Sequence, residues 1–175
     1  GGKLSHSQRL VFGVKRNPDA LPPQLEIAYP PENLLTNKKE LEVSGMTDPT
    51  ASLTINEKAI TIEQNGSFVF PMILEEGQNI VQFKATNRKG LETEIIRLVT
   101  LDTLPPKLDI KPIPEEVTQE TILIEGKVEI GSVLTIDTQD VFIDEEGKFS
   151  YEYKLLRGFN SIEVIAVDQA RNTTT

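Results

Sequence analysis

Carboxylates are the side chains of this 175-residue chain whose grouping could do chemistry. Glu75-Glu76 and Asp144-Glu145-Glu146 form two acidic clusters, with Asp137 and Asp140 close to the second. Calcium would want six to eight oxygen ligands from such a cluster, commonly on an Asp-x-Asp-x-Asp-Gly loop. No such loop occurs, so the clusters read as solvated, mutually repulsive edges and no metal site is expected. Paired carboxylates also cleave glycosides, yet nothing in the spacing sets two of them across a cleft. His6 is the single histidine and cysteine is absent. A Ser-His-Asp or metal-histidine site therefore cannot be assembled from residues 22–175, and the chain reads as having no catalytic, cofactor-binding or metal residues.

Amides and aromatics have plainer uses. Asn79 and Asn160 each follow a Gly-x pair at the start of an apolar run, where an amide can satisfy turn backbone groups. Asn87 and Asp168 close the same two runs and begin the next turn. Sugar binding usually rests on stacking against an aromatic face, but tryptophan is missing and Tyr29, Tyr151 and Tyr153 are the only tyrosines. Tyr151 and Tyr153 share one strand face, and Tyr151 aligns with Phe70, a core position, so no exposed platform is expected.

The elements that hold these residues are strands. Val, Ile, Thr and Phe recur in short runs broken by Gly, Pro, Asn and Asp, and no sustained i, i+3, i+4, i+7 stripe appears. At an offset of 81, residues 43–94 align without a gap with residues 124–175, and twelve of the 52 positions are identical. The identities include Gly45 with Gly126, Leu53-Thr54-Ile55 with Leu134-Thr135-Ile136, Gly66 with Gly147, and Phe68 with Phe149. Leu74 with Leu155, Gly77 with Gly158, Asn79 with Asn160 and Ala85 with Ala166 follow. Upstream, Pro22-Pro23-Gln24-Leu25 matches Pro105-Pro106-Lys107-Leu108 at an offset of 83, so a two-residue loop difference separates the registers.

A repeat of this length means one folding unit used twice. The first unit should place strands at 24–29, 39–44, 52–55, 59–63, 67–74, 79–87 and 91–101. The second should place them at 107–111, 121–125, 133–137, 141–144, 148–155 and 160–168. Alternation then points Leu41, Val43, Leu53, Ile55, Phe68, Phe70, Val81, Phe83 and Ala85 inward, with Leu134, Ile136, Phe149, Tyr151, Ile162, Val164 and Ala166 as counterparts. Asn65-Gly66 reads as a type I′ hairpin turn.

The fold class is therefore all-β, two tandem immunoglobulin-like antiparallel sandwiches. The expected divisions are an N-terminal segment 1–21, a first repeat 22–104 and a second repeat 105–175 that lacks its last strand. Leu101-Asp102-Thr103-Leu104-Pro105-Pro106 is a short, proline-bearing linker that suggests a semi-rigid rod. No run approaches the roughly 18–20 apolar residues of a membrane span, and the start, which has no signal-peptide pattern, reads as a cut inside a longer protein.

Net charge is −9, which argues against nucleic acid as a partner;. Residues 1–21 carry four basic and one acidic side chain, residues 22–104 seven and twelve, and residues 105–175 seven and fourteen. Ser7–Lys15 leads into Leu21-Pro22-Pro23 as Leu91–Leu101 leads into Leu104-Pro105-Pro106, so it reads as the last strand of a preceding repeat. An open edge beside 160–168 would take up such a strand, and the basic character of residues 1–21 against the acidic second repeat points the same way, which suggests strand-exchanged self-association through Ser7–Lys15.

The pattern Leu74-x-x-Gly77-x-Asn79-x-Val81-x-Phe83-x-Ala85-x-Asn87 recurs as Leu155-x-x-Gly158-x-Asn160-x-Ile162-x-Val164-x-Ala166-x-Asp168. It resembles the bacterial immunoglobulin-like repeats of cell-surface proteins and polysaccharide-degrading enzymes, including the glucodextranase-type module. Asp168-Gln169-Ala170-Arg171-Asn172 is similar to that family's Asp-x-Ala-Gly-Asn strand end, with Arg171 in place of the Gly. The resemblance implies a non-catalytic spacer, stalk or adhesion module of an extracellular or cell-surface protein, with a protein or cell-wall glycan as the ligand class. The alternative is a carbohydrate-binding accessory module of a polysaccharide-acting enzyme.

Overall fold

The computed structural model describes residues 20–175. His6 and the Ser7–Lys15 segment lie outside the described residues. The first half contains β1 (Leu25–Tyr29), β2 (Leu34–Thr36), β3 (Glu40–Thr47), β4 (Ser52–Ile55), β5 (Lys58–Ile60), β6 (Ser67–Ile73), β7 (Gly77–Thr86) and β8 (Glu92–Leu101). The second contains β9 (Leu108–Ile110), β10 (Thr121–Val128), β11 (Val133–Ile136), β12 (Gln139–Val141), β13 (Lys148–Lys154), β14 (Val164–Val167) and β15 (Thr173–Thr174). No helix among the described residues is long and apolar enough to cross a membrane.

Four sheets form, ordered β1-β3-β6 and β2-β8-β7-β4-β5 in the first half, and β13-β10-β9 and β12-β11-β14-β15 in the second. No sheet mixes strands from the two halves. Each pair of sheets closes on its own apolar cluster, because alternate residues of every long strand point to one face. Leu41, Val43, Leu53, Ile55, Phe68, Leu74, Val81, Phe83, Ala85, Val99 and Leu101 make the first core. Ile124, Val128, Leu134, Ile136, Val141, Phe149 and Ala166 make the second. Phe70, Tyr151, Ile162 and Val164, read from the sequence as core, are only partly buried against these clusters.

The repeat registers are visible in the pairing. Ile27 faces Gly45 as Ile110 faces Gly126, and Gly45 faces Phe68 as Gly126 faces Phe149. The two-residue difference lies between β9 and β10, where no strand corresponds to β2. That strand, absent from the sequence reading, runs parallel to β8 and pairs Leu34–Thr36 with Val99–Leu101.

Two sequence expectations need correction. Asn65-Gly66 is not a type I′ turn, since only Gly66 has positive φ, at 91°. The Gly66 N–H donates to the Glu63 carbonyl and the Glu63 N–H to the Ser67 carbonyl, at 2.9 and 2.8 Å, which makes a longer hairpin with a glycine bulge;. The two-residue turn with both residues at positive φ occurs at Asn56-Glu57, and again at Asp137-Thr138. Secondly, the strand expected over 160–168 is shortened to Val164–Val167. Its counterpart β7 is paired along all ten residues with β8, whereas β14 meets β15 only at Ala166 and Val167. Residues 160–163 lie beyond the pairing with β11 and have no long counterpart of β8 beside them, so no ladder forms there;.

Candidate functional site

The amides that stood out in the sequence close loops. Asn79 donates to the carbonyls of Glu75 and Gly77, at 2.7 and 3.0 Å, and its side-chain oxygen accepts the Glu75 N–H at 2.8 Å. Asn160 repeats all three bonds with Leu156 and Gly158. Asn87 accepts the N–H groups of Lys89 and Leu91, and Asp168 accepts that of Asn172. These bonds satisfy turn backbone that would otherwise face solvent or the core unpaired.

The acidic clusters divide among separate tasks. Asp144 accepts the N–H groups of Glu146 and Lys148 at 2.9 and 2.8 Å, while Glu146 pairs with the Lys148 ammonium. Asp137 takes the Glu163 N–H and the Tyr153 hydroxyl, which hold its carboxyl below the ordinary carboxylate value, the hydroxyl being the larger cause;. Tyr153 is correspondingly pushed up by the same bond and by burial. Tyr151 and Tyr153 lie against the second core. Tyr29, at the end of β1, is 39% exposed.

Glu76 has a different role, and it leads to a site the sequence reading passed over. Each half grips the segment of chain that precedes it. The Thr93 hydroxyl donates to the Pro23 carbonyl at 2.5 Å, and the equivalent Thr174 donates to the Pro106 carbonyl at 2.6 Å. An amide from the last hairpin of each half reaches further back: Asn87 to the Leu21 carbonyl and Asn172 to the Asp102 carbonyl, both at 2.8 Å. The identity of Thr93 and Thr174 at offset 81 was the one signal for this contact in the sequence.

At the linker, Asp102 donates its N–H to the Thr36 carbonyl at 2.9 Å. Thr103 places its N–H 3.1 Å and its hydroxyl 2.8 Å from the two oxygens of the Glu76 carboxylate. Asp102 Oδ1 accepts the Leu104 N–H at 3.1 Å. Side chains from both halves thus converge on two consecutive linker residues. Each of these bonds ends on linker backbone or on Thr103, so the set is arranged to hold polypeptide.

Residues 23–103 match the family described as glucodextranase, domain B. Bacillopeptidase F of Bacillus subtilis (strain 168) is 28% identical over 159 residues, which is 86% of this chain and 11% of that protein. The chain therefore spans a small fraction of that relative's length. Among solved structures, the fibronectin(III)-like modules of Clostridium thermocellum CbhA superpose with a TM-score of 0.54 at 17% identity. The match covers 87% of this chain and 90% of that one, and shows a shared fold. The chain is all-β and shares the sandwich fold of those modules.

Proposed function

We propose that this chain is a non-catalytic spacer, two immunoglobulin-like modules divided at residues 104 and 105, within a longer secreted or surface-displayed bacterial protein. The observation that carries the reading is the repeated grip of Thr93 on Pro23 and Thr174 on Pro106. A module that fastens the chain arriving at it sets the direction in which the next begins, which is what stringing modules in fixed order requires. The small share of bacillopeptidase F that the chain covers suits an appendage better than a whole protein. On this reading the strands supply separation and the linker bonds supply direction.

The test is a screen of the purified chain against insoluble polysaccharides and a glycan array. No retention is expected, and reproducible binding to one sugar class would overturn the spacer reading in favour of a carbohydrate-binding module.

A further inference from the structure

We infer that the joint between the modules is locked by a clamp on a single peptide plane, the one joining Asp102 to Thr103, with Glu76 as its jaw from the first module and Asn172 as its jaw from the second. The inference rests on the spacer reading and concerns how such a spacer keeps its direction.

A peptide group is planar, with its C=O and N–H pointing to opposite sides and no soft torsion between them. The C=O of this plane belongs to Asp102 and accepts from the Asn172 amide of the second module, at 2.8 Å. The N–H belongs to Thr103 and donates to Glu76 of the first module, at 3.1 Å. A linker normally bends at the φ and ψ angles between its last contact with one domain and its first contact with the next. Here that interval contains no rotatable backbone bond. The neighbouring bonds remove the slack on either side. The Asp102 N–H is tied to Thr36 of the first module, the Thr103 hydroxyl doubles the hold on Glu76, and Thr174 fixes the Pro106 carbonyl.

The jaws are side chains set by their own loops. Glu76 sits in the loop that Asn79 closes with three bonds, and Asn172 is held by Asp168, to which its amide also donates at 2.8 Å. Geometry at the joint is therefore inherited from turns internal to each module. The bond between Glu76 and Thr103 is charge-assisted, the stronger kind of hydrogen bond. The residue at the position of Glu76 in the second module is Arg157, which could not accept these bonds, so the clamp is particular to this joint.

Cysteine is absent, so one label can be placed in each module without interference. Gln64 and Glu145 occupy equivalent exposed positions; with Gln64→Cys and Glu145→Cys spin-labelled, double electron–electron resonance reads the distance between modules. A single narrow distance is expected in the otherwise unaltered chain. Glu76→Ala should abolish that narrow peak in favour of a broad distribution, and Asn172→Ala should do the same. The double variant should be no broader than either single one, because releasing one jaw already frees the plane. Glu76→Gln, which keeps one acceptor oxygen, should fall between. Circular dichroism melting checks that Glu76→Ala leaves both modules folded, and it serves as the deciding variant if Asn172→Ala lowers stability. A broad distribution in the unaltered chain, or a peak unmoved by Glu76→Ala, overturns the clamp while leaving the spacer reading intact. Glycan binding would overturn the spacer reading while leaving the clamp.

Discussion

Tyr153 on β13 donates its hydroxyl to the carboxylate of Asp137 at the end of β11, 2.5 Å away, and so joins the two sheets of the second sandwich by a polar contact. The first sandwich has Met72 and Asn56 at these positions. Asn56 there donates to the Ile80 carbonyl, at 3.1 Å, a bond that a carboxylate cannot make. The exchange of Asn for Asp is thus matched by the arrival of a donor across the core.

That pair gives the second module its own pH response. Asp137 titrates below the ordinary carboxylate value because Tyr153, and then the Glu163 N–H, favour its charged form;. Its contribution to stability is full above the unfolded-state value and is lost as pH falls through the lowered one. Tyr153 titrates above the ordinary phenol value, so its contribution is full below that value and is lost as pH rises through the raised one;. Melting temperature followed against pH should show both losses, and Tyr153→Phe should remove the alkaline one and weaken the acidic one. A variant with an unchanged acid limb would mean that the pair does not couple to folding.

Gly45 and Gly126 lie under aromatic rings on the neighbouring strand. A Cβ on Gly45 would come 2.2 Å from the Glu26 carbonyl oxygen and 2.6 Å from Cζ of Phe68. At Gly126 the same distances, to Asp109 and Phe149, are 2.2 and 2.7 Å. Gly45→Ala and Gly126→Ala should each cost about 1–3 kcal/mol, the range for overpacking a filled core. Shortening the ring with Phe68→Leu should not rescue Gly45→Ala, because the backbone oxygen stays in place. Chemical denaturation measures both statements.

Besides glycine, asparagine and aspartate, three of the described residues hold the left-handed backbone at turns: Glu57 at φ 66°, Thr138 at φ 69° and Arg171 at φ 70°. Gly90, the counterpart of Arg171 in the first module, has φ 80°. An L side chain in this region costs roughly 1–2 kcal/mol, against roughly 0.5–1 kcal/mol for the added freedom of glycine in the unfolded chain. Glu57→Gly, Thr138→Gly and Arg171→Gly should therefore each stabilise by about 0.5–1 kcal/mol, most at the β-branched Thr138. A fall in melting temperature for all three would contradict the turn geometry.

Asn79→Ala removes three hydrogen bonds from one loop, and a cost of about 1–3 kcal/mol is expected from the backbone groups left unpaired. Asn79→Asp keeps the acceptor for the Glu75 N–H but loses both donations, so it should recover only part of the loss. Hydrogen exchange at Glu75 should accelerate in the first variant and stay slower in the second.

Much of this architecture was open to reading because it follows from alternation. Leu53 and Ile55, or Leu134 and Ile136, announce a half-buried strand in four residues, and both strands lie where the pattern put them. Turn type was less legible. Asn-Gly suggested a two-residue hairpin at Asn65-Gly66, but such a turn formed at Asn56-Glu57, a pair with no glycine to mark it. β2 is three residues long and owes its existence to a partner more than sixty positions away, so local pattern could not reveal it;. The joint was hidden for the same reason, since Asn172 stands 70 residues from the carbonyl it holds. The linker prolines suggested stiffness, whereas the bonds across Asp102 and Thr103 show where it would reside.

The parallel pairing of β2 with β8 gives the first module a mechanical character. When the chain is pulled from its two ends, β2 is drawn toward its start and β8 toward its finish, and parallel strands drawn in opposite senses slide along their shared axis. The bonds joining Leu34–Thr36 to Val99–Leu101 then bear the load together, in shear, and cannot be opened one after another as at the mouth of a hairpin;. A three-residue strand that adds little apolar burial thus sits where tension between neighbouring domains would be carried.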